Sequence, residues 1–317
     1  MSDHLRELLP EAWFDALYNE DMTDLDLDEH GRIWVKTLTQ PTYVHVGYLK
    51  PEDALAVAIY LASLVDDEIE QSQSLKTTWP GLGYRTIIQV PPSVPGTVIH
   101  VRSKPRKDYT LDNLVETGTL TPPQARHLEL ALWDKQNIII GGKPGSGKTT
   151  LQRALLNVLA MIPGLIIIVD ALDELSTTAE NMGNIRRIIP HRDYSDQRAL
   201  DDILLRDPSA IGYGEVRAGA TGIALIRAWL AATTGAFATA HFESLAGAVP
   251  RFADFYREQG LGVVYDDIGR VMQNVVVMEA YNDAGGRRRF RATSVARLTP
   301  ATGPRLSPHD FVFEEIP

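Results

Sequence analysis

The chain has no cysteine among its 317 residues, which excludes disulfides and thiolate metal sites and fits a reducing cytoplasm. It has no apolar run approaching the roughly 18 residues of a membrane-spanning helix, and its longest runs, such as 165–169, have the length of a strand. The first residues show no basic segment followed by an apolar core, so no secretory signal is expected. These absences predict a soluble, cytoplasmic protein.

Basic residues are in deficit: 31 Lys and Arg face 41 Asp and Glu, which gives a formal net charge of −10. General binding to a nucleic-acid backbone requires clustered positive charge, because its affinity comes from phosphate contacts. We therefore expect no direct nucleic-acid binding. The length and a hydrophobic content of 44% are typical of a globular protein of about two domains.

One segment is a complete phosphate-binding loop of the pattern G-x-x-x-x-G-K-[ST]. It consists of Gly142, Lys143, Pro144, Gly145, Ser146, Gly147, Lys148 and Thr149, and Thr150 follows it. Residues 137–140 before the loop predict a buried strand, and leucines at helical spacing after it predict an amphipathic helix. A working phosphate site requires this strand–loop–helix context. The segment therefore predicts binding of a nucleoside triphosphate.

The residue types in the loop explain how it would bind phosphate. Glycines let the backbone curl so that successive N–H groups point at phosphate oxygens, and the N-terminus of the following helix adds partial positive charge. We expect Lys148 to reach the β- and γ-phosphates and the Thr149 hydroxyl to bind Mg²⁺.

Three further short apolar runs alternate with helical segments, which predicts a parallel sheet covered by helices on both faces. The runs are 165–169, 211–214 and 236–240. In such sheets the functional side chains lie at the carboxyl ends of the strands. The residues that follow each run are therefore candidates for the site.

Acidic residues follow the first two runs. Asp170, Asp173 and Glu174 follow the first, and Glu215 follows the second. Phosphoryl transfer to water needs an acid that orients the attacking water and another that holds Mg²⁺. The alternative for the first group is an acidic helix start that complements the helix dipole. Because a phosphate loop precedes these acids, we favour the catalytic interpretation.

A single histidine, His241, follows the third run. One interpretation is a hydrogen-bonded structural histidine. The other is an imidazole that senses the γ-phosphate or the neighbouring acid, since His241 follows a third strand in the same way as the acids.

The first hundred residues mix strand patterns with a helix, which predicts a small α+β domain over 1–105, followed by a second domain over 106–317. We expect the acidic stretch 21–29 to be a solvated loop. Arg85 and Arg102 lie on predicted strands, and each is either an ordinary surface residue or an arginine that clamps the nucleotide, since a guanidinium pairs well with phosphate.

Together and in this order, the motifs resemble those of the secretion-ATPase family, most closely its type IV secretion and conjugative-transfer traffic ATPases. The resemblance covers essentially the whole chain. The matching segments are the phosphate loop 142–149, 168–175 as the Asp box, 214–217 as the second acidic motif, 238–241 as the His box and 110–121 as the entry to the ATPase domain. Arg85 and Arg102 look like the domain-closing arginines of that family.

The resemblance implies an α/β fold, with a RecA-like P-loop ATPase domain preceded by the smaller α+β N-terminal domain. It implies ATP and Mg²⁺ as cofactors and a homohexameric ring that docks on inner-membrane secretion-channel and coupling proteins, at the cytoplasmic face of that membrane. Lys148, Asp173 or Glu174, Glu215 and His241 would be catalytic, Thr149, Asp170 and Glu215 would hold the metal, and residues 142–150 with Arg85 and Arg102 would bind the nucleotide.

The sequence departs from the family pattern at several positions. The Asp box lacks the usual Glu before Asp170 and carries an extra residue, so the catalytic acid is either Asp173 or Glu174. The other departures are Gly212 and Tyr213 before the second acidic motif, Phe242 and Glu243 where Ala and Asn are expected, and Lys143 and Pro144 where Gly and Thr are frequent.

These observations predict a Mg-dependent ATPase that energises a type IV secretion or conjugative-transfer apparatus, for DNA or protein transfer or for pilus biogenesis. One alternative is a nucleotide-dependent assembly or regulatory component with little turnover. Another is a motor of the type IV pilus kind. A direct nucleic-acid translocase is disfavoured by the acidic net charge.

Overall fold

The computed structural model describes residues 3–37, 39–40, 42–103, 109–171, 175, 183–191, 194–232, 235–300, 307 and 309–317. The chain divides into two compact units, residues 1–106 and 107–317. Within the described residues, no helix combines the length and the apolar character needed to cross a membrane.

The N-terminal unit is a mixture of helices with one antiparallel sheet. Its helices are α1 (Asp3–Leu8), α2 (Glu11–Tyr18), α3 (Pro51–Ser63) and α4 (Ile69–Ser72), and its strands are β1 (Met22–Leu27), β2 (Arg32–Thr37), β3 (Val44–Tyr48), β4 (Ser74–Thr78), β5 (Arg85–Gln89) and β6 (Val98–Arg102). The strand order is β3-β2-β1-β6-β5-β4. Helix and strand side chains share one core, in which the rings of Trp13 and Trp79 lie 5.5 Å apart. The expectation of an α+β unit is confirmed.

The acidic stretch 21–29 is mostly a strand, so the expectation of a solvated loop there is wrong. Met22, Leu25 and Leu27 are buried in β1, which pairs with β2 and β6. The one fully buried acid of the strand, Asp24, lies beside cationic side chains of these neighbours, which compensate its charge. Those partners come from distant segments and could not be identified from the stretch itself. Its acidic residues therefore suggested solvent exposure, although its apolar residues alternate as in a strand.

The C-terminal unit alternates strands and helices. Its helices are α5 (Leu111–Glu116), α6 (Pro122–Trp133), α7 (Lys148–Leu159), α8 (Asp196–Leu204), α9 (Gly219–Ala231), α10 (Leu245–Glu258) and α11 (Tyr265–Val271), and its strands are β7 (Ile138–Gly142), β8 (Ile166–Val169), β9 (Ile185–Ile188), β10 (Ala210–Tyr213), β11 (Phe237–Thr239), β12 (Asn274–Asn282), β13 (Arg288–Pro300) and β14 (Phe311–Glu315). α6 begins as expected, since Thr121 and Gln124 form a capping box.

Two hydrogen-bonded groups of strands make up the sheet of this unit, with the orders β10-β8-β9 and β11-β7-β12-β13-β14. A parallel bridge between Glu215, which follows β10, and Thr239 of β11 joins the two groups. The parallel strands are therefore neighbours in the order β9-β8-β10-β11-β7-β12. The pairs from β9 to β12 are parallel, whereas β12, β13 and β14 pair in antiparallel fashion. The predicted parallel sheet is present and carries an antiparallel extension.

Helices cover both faces of the parallel strands, as expected. Successive residues of β7 enter different cores: Ile139 packs with side chains of α9 and α10, while Ile138 and Ile140 pack with those of α6 and α7. This alternation follows from the pleat of a strand, and it requires the continuous apolar run of β7. This packing on both faces positions the end of β7, from which the phosphate loop starts.

Candidate functional site

The phosphate loop connects the end of β7 to the start of α7. β7 ends at Gly142 and α7 begins at Lys148. Gly145 and Gly147 have φ values of +72° and +93°, a region that side chains with a Cβ rarely adopt. Gly147 is the N-cap residue of α7 and forms no side-chain cap, an arrangement suited to an anion at the helix N-terminus. The loop therefore curls in a backbone conformation that glycine adopts readily, directly before the N-terminus of α7.

Lys148 folds back onto the loop that precedes it. Its Nζ donates to the carbonyl oxygen of Gly142 at 2.8 Å and to that of Lys143 at 2.9 Å, and the side chain is buried. These acceptors are neutral. A phosphate at the loop would offer charged oxygens, which form stronger hydrogen bonds with an ammonium group.

His241 lies between the phosphate loop and the second acidic strand end. Its Nδ1 is 3.3 Å from the carbonyl oxygen of Gly142, and its Nε2 is 2.7 Å from Oε1 of Glu215. The sheet creates this contact, because β11 pairs with β7 on one side and is bridged to Glu215 on the other. Both ring nitrogens therefore face oxygen acceptors, and the imidazole links Gly142 to Glu215, which lies 73 positions further along the chain.

Glu215 uses its second carboxylate oxygen as well. Arg217 donates from Nε to Oε2 at 2.6 Å, and its Nη2 lies 2.5 Å from the same oxygen. The carboxylate is partly buried, and both nitrogens of the exposed Arg217 contact this one oxygen. A path of hydrogen bonds thus runs from Gly142 through His241 and Glu215 to Arg217.

Gln152 connects the helix after the loop to this acidic motif, and sequence reasoning missed it. From the buried side of α7, its Nε2 donates to the carbonyl oxygens of Tyr213 at 2.9 Å and Gly214 at 2.8 Å. The Thr239 hydroxyl also donates to Gly214, at 2.8 Å. The clue in the sequence was a pair of polar residues, Gln152 and Arg153, between Leu151 and Ala154.

Asp170 follows β8 and is 1% exposed. Its Oδ2 accepts the backbone N–H of Leu175 at 2.7 Å and lies 3.6 Å from Nη1 of Arg187. The carboxylate therefore contacts both the backbone of Leu175 and the side chain of Arg187. Asp173 and Glu174 lie outside the described residues, so the choice between them as the catalytic acid stays a prediction.

Two of the departures from the family pattern contact the phosphate strand or its loop. Lys143 Nζ lies 3.1 Å from Oε2 of Glu243, and both side chains are exposed. Phe242 packs so closely on Gly141 that a Cβ at position 141 would lie 2.2 Å from its Cε2 atom. The two residues after His241 thus contact residues at the end of β7 and at the start of the loop.

Arg85 and Arg102 lie directly opposite each other on β5 and β6 of the N-terminal unit. Arg102 Nε donates to Oδ1 of the buried Asp24 at 3.1 Å. The structure therefore gives Arg102 a partner within its own unit. Closure of either arginine over a nucleotide stays a prediction.

The donors at the strand ends fit Mg²⁺ as the partner of a nucleotide. Mg²⁺ in such sites keeps waters and is held by one or two protein oxygens together with the substrate phosphates. In the part of the chain that the structure describes, no cluster of three or more His, Asp or Glu side chains could hold a metal ion by itself. Thr149, Asp170 and Glu215 offer hydroxyl and carboxylate oxygens, which are the hard ligands that this ion prefers.

The chain is similar to known proteins in sequence and in fold. The chain is 27% identical to the conjugal transfer protein TrbB of Rhizobium radiobacter over 280 residues, which cover 87% of the chain and 84% of TrbB. It is 26% identical to the type IV secretion system protein VirB11 of Brucella suis over 191 residues, 53% of the chain and 52% of that protein.

Among solved structures, the pilus retraction motor PilT with bound ADP superposes with a TM-score of 0.71 at 19% identity. The superposition covers 96% of the chain and 84% of PilT, and at this identity it shows the fold: a RecA-like domain preceded by a smaller domain. Residues 63–280, well over half of the chain, match the family described as Type II/IV secretion system protein. The chain therefore belongs to the type II/IV secretion system protein family, that is, to the secretion ATPases.

Proposed function

We propose that the chain hydrolyses ATP at the β–γ bond and thereby energises a type IV secretion or conjugative-transfer apparatus. The observation that supports this best is the path from the Gly142 carbonyl through His241 to Glu215. It gives the phosphate loop a direct connection to an acid at a neighbouring strand end, where a hydrolase needs one. The names of the relatives, conjugal transfer protein and type IV secretion system protein, support the choice of apparatus.

The proposed roles follow from where the groups lie. The backbone N–H groups of the loop, apart from Pro144, which has none, and the ammonium of Lys148 bind the phosphates. Thr149, with Asp170 or Glu215, would hold Mg²⁺, whose charge would neutralise that of the phosphates when it is bound. Asp173 or Glu174 orients the attacking water.

Glu215 and His241 report the state of the γ-phosphate to the rest of the sheet. His241 contacts the loop strand directly, so any shift of the Gly142 carbonyl changes its bond to Glu215. Arg85 and Arg102 close the N-terminal unit over the nucleotide and release it after hydrolysis.

The assembly that we propose is a homohexameric ring bound to inner-membrane channel and coupling proteins. The ring would then sit at the cytoplasmic face of that membrane and reach it through its partners. Light scattering with and without nucleotide tests the ring, and a strict monomer under both conditions would contradict it.

Steady-state ATP hydrolysis by purified full-length protein tests the enzymatic proposal. Lys148→Ala removes the ammonium from the phosphate site, and we expect at least about a hundredfold loss of turnover, as for other groups that stabilise developing charge. Lys135→Ala, which removes an exposed lysine after α6, is the control and should leave turnover unchanged. Undiminished hydrolysis by the Lys148 variant would contradict the proposal that ATP is hydrolysed at this loop.

A second candidate is a nucleotide-dependent assembly component with little turnover. It is favoured by Glu215, since its two carboxylate oxygens are already bonded to His241 and Arg217. Comparison of the dissociation constant for ATP with kcat decides between the two. Tight binding without turnover supports the assembly component, and turnover that Lys148→Ala abolishes supports the motor.

A further inference from the structure

The hairpin of β12 and β13 ends in a turn that carries a run of arginines, and the turn is held rigidly. Asp283 accepts the backbone N–H groups of Gly285 at 3.0 Å and Arg287 at 2.9 Å, and its other oxygen accepts Nε of Arg289 at 3.1 Å. These bonds also lower the pKa of Asp283, chiefly through the N–H of Arg287. Asp283 therefore connects the two sides of the turn.

Two side chains of this hairpin contact the phosphate loop. Arg288 Nη2 donates to the carbonyl oxygen of Gly145 at 2.8 Å, and a Cβ at position 145 would lie 2.9 Å from the same nitrogen. A Cβ at position 147 would lie 3.2 Å from Cδ1 of Phe290. Two of the three loop glycines that have positive φ values, Gly145 and Gly147, therefore face side chains of the hairpin.

Arg288 and Phe290 differ from their neighbours on the hairpin. Arg289 and Arg291 are paired with the carboxylates of Asp283 and Glu279 at 3.1 and 2.8 Å. The partner of Arg288 among the described residues is the neutral Gly145 carbonyl. The guanidinium carbon of Arg288 lies 5.8 Å from the centroid of the Phe290 ring, and Phe290 is 38% exposed. A cation and a partly exposed aromatic ring thus lie together beside the loop.

The strand order tells which end of a nucleotide would meet them. β11, β10 and β8, which lead to His241, Glu215 and Asp170, all lie on one side of β7. The hairpin lies on the other side, because β12 pairs with β7 through the register Asn274 to Met278. If the γ-phosphate faces the acids, the nucleoside at the opposite end of the triphosphate leaves the loop on the hairpin side.

We propose that Phe290 and Arg288 form the platform on which the base of the nucleotide stacks. An aromatic ring stacks on any base, and a guanidinium beside it adds cation–π attraction and a polar contact. The platform makes the hairpin part of the nucleotide site, in addition to the loop and the strand ends. The inference rests on the proposed nucleotide binding, since the platform has a purpose only if the loop holds phosphates.

Calorimetry of the full-length chain with ADP and with pyrophosphate separates the base from the phosphates. The ligands share the two linked phosphates, but only ADP carries a base. Phe290→Ala should weaken ADP binding at least about fivefold and leave pyrophosphate binding unchanged. Phe290→Trp should retain ADP binding, and its indole emission should be quenched by ADP but not by pyrophosphate. Tyr281→Ala, an exposed aromatic on the same hairpin, is the matched control and should change neither affinity.

Three outcomes overturn the platform while the proposed function stands: unchanged ADP binding by Phe290→Ala, an equal loss for both ligands, or no quenching in Phe290→Trp. An equal loss would mean that Phe290 only supports the loop. If the wild type binds neither ADP nor pyrophosphate, the proposed function itself fails. The tryptophan variant keeps the test decisive if Phe290→Ala does not fold.

Discussion

In the N-terminal unit, two carboxylates hold a histidine in its charged form. His100 Nδ1 lies 3.1 Å from Oδ1 of Asp26, and Nε2 lies 3.5 Å from Oδ1 of Asp24. Hydrogen bonds to Asp24 and Asp26 raise the pKa of His100 to about 9. Burial opposes the ionisation of Asp24, but His100 and the charges of Arg102 and Lys36 outweigh burial and lower its pKa to about 2. We predict that β1 and β6 lose stability as the pH rises from 6 to 10.

The sign follows from the direction of each pKa change. A histidine whose folded pKa lies above its ordinary value of 6.5 contributes fully below pH 6.5, and the contribution is lost as the pH rises through about 9. The contribution of Asp24 is present above its ordinary pKa of 3.8 and is lost as the pH falls through about 2. The stabilisation by the Asp24–His100 pair is therefore fully present between about pH 3.8 and pH 6.5.

The magnitude comes from the pKa of His100. The difference between 6.5 and about 9, at about 1.36 kcal/mol per pKa unit, sets an upper limit of about 3 kcal/mol. The His100 side chain is 32% exposed, so solvent screening reduces the expected loss to about 1–2 kcal/mol.

Hydrogen exchange of the β1 and β6 amides measures this loss locally, after correction for the intrinsic exchange rate at each pH. Wild-type protection should fall between pH 6 and pH 10, and His100→Gln should remove most of that fall. His45→Gln, an exposed histidine on β3, is the control and should behave like the wild type. Equal pH dependence in wild type and His100→Gln would refute the assignment of the charge to His100.

The remaining predictions concern the C-terminal unit. Gly141→Ala should cost about 1–3 kcal/mol in the free energy of unfolding, because its Cβ would lie 2.2 Å from the Phe242 ring; Phe242→Ala should restore part of it in a double-mutant cycle of urea melts. Asp170→Asn should cost about 2 kcal/mol, since a buried, hydrogen-bonded charge is lost; a Tm equal to wild type would contradict that role. Lys143→Ala should change stability by less than about 1 kcal/mol, because its pair with Glu243 is exposed, and a larger loss in thermal melts would show that the pair is structural.

Local patterns in the sequence were sufficient for much of the site. The phosphate loop needs only consecutive residues, and its strand and helix have clear apolar periodicity, so β7, α7 and the loop between them were predictable. The rule that chemistry lies at strand ends then selected Asp170, Glu215 and His241. In the structure, His241 lies within hydrogen-bonding distance of the Gly142 carbonyl and of Glu215.

Contacts between distant segments were not predictable in the same way. In the sequence, Gln152 cannot be distinguished from an ordinary helix residue. Its role depends on the carbonyl oxygens of Tyr213 and Gly214, at the end of β10, to which it donates. The acidic residues of β1 suggested solvent until their cationic partners on neighbouring strands were known. Each of these features depends on which strands are neighbours and in what register.

The sequence alone was sufficient to predict a phosphate loop after a buried strand, and acids and a histidine after the next strands. It was also sufficient to identify the resemblance of these motifs to those of the secretion ATPases. Only the tertiary structure decided what surrounds the loop. It set β11 with His241 on one side of β7 and the β12–β13 hairpin with Arg288 on the other. Periodicity is a property of consecutive residues, whereas strand order is decided by packing of the whole domain, which brings Gly145 and Arg288 together across 143 positions of the chain.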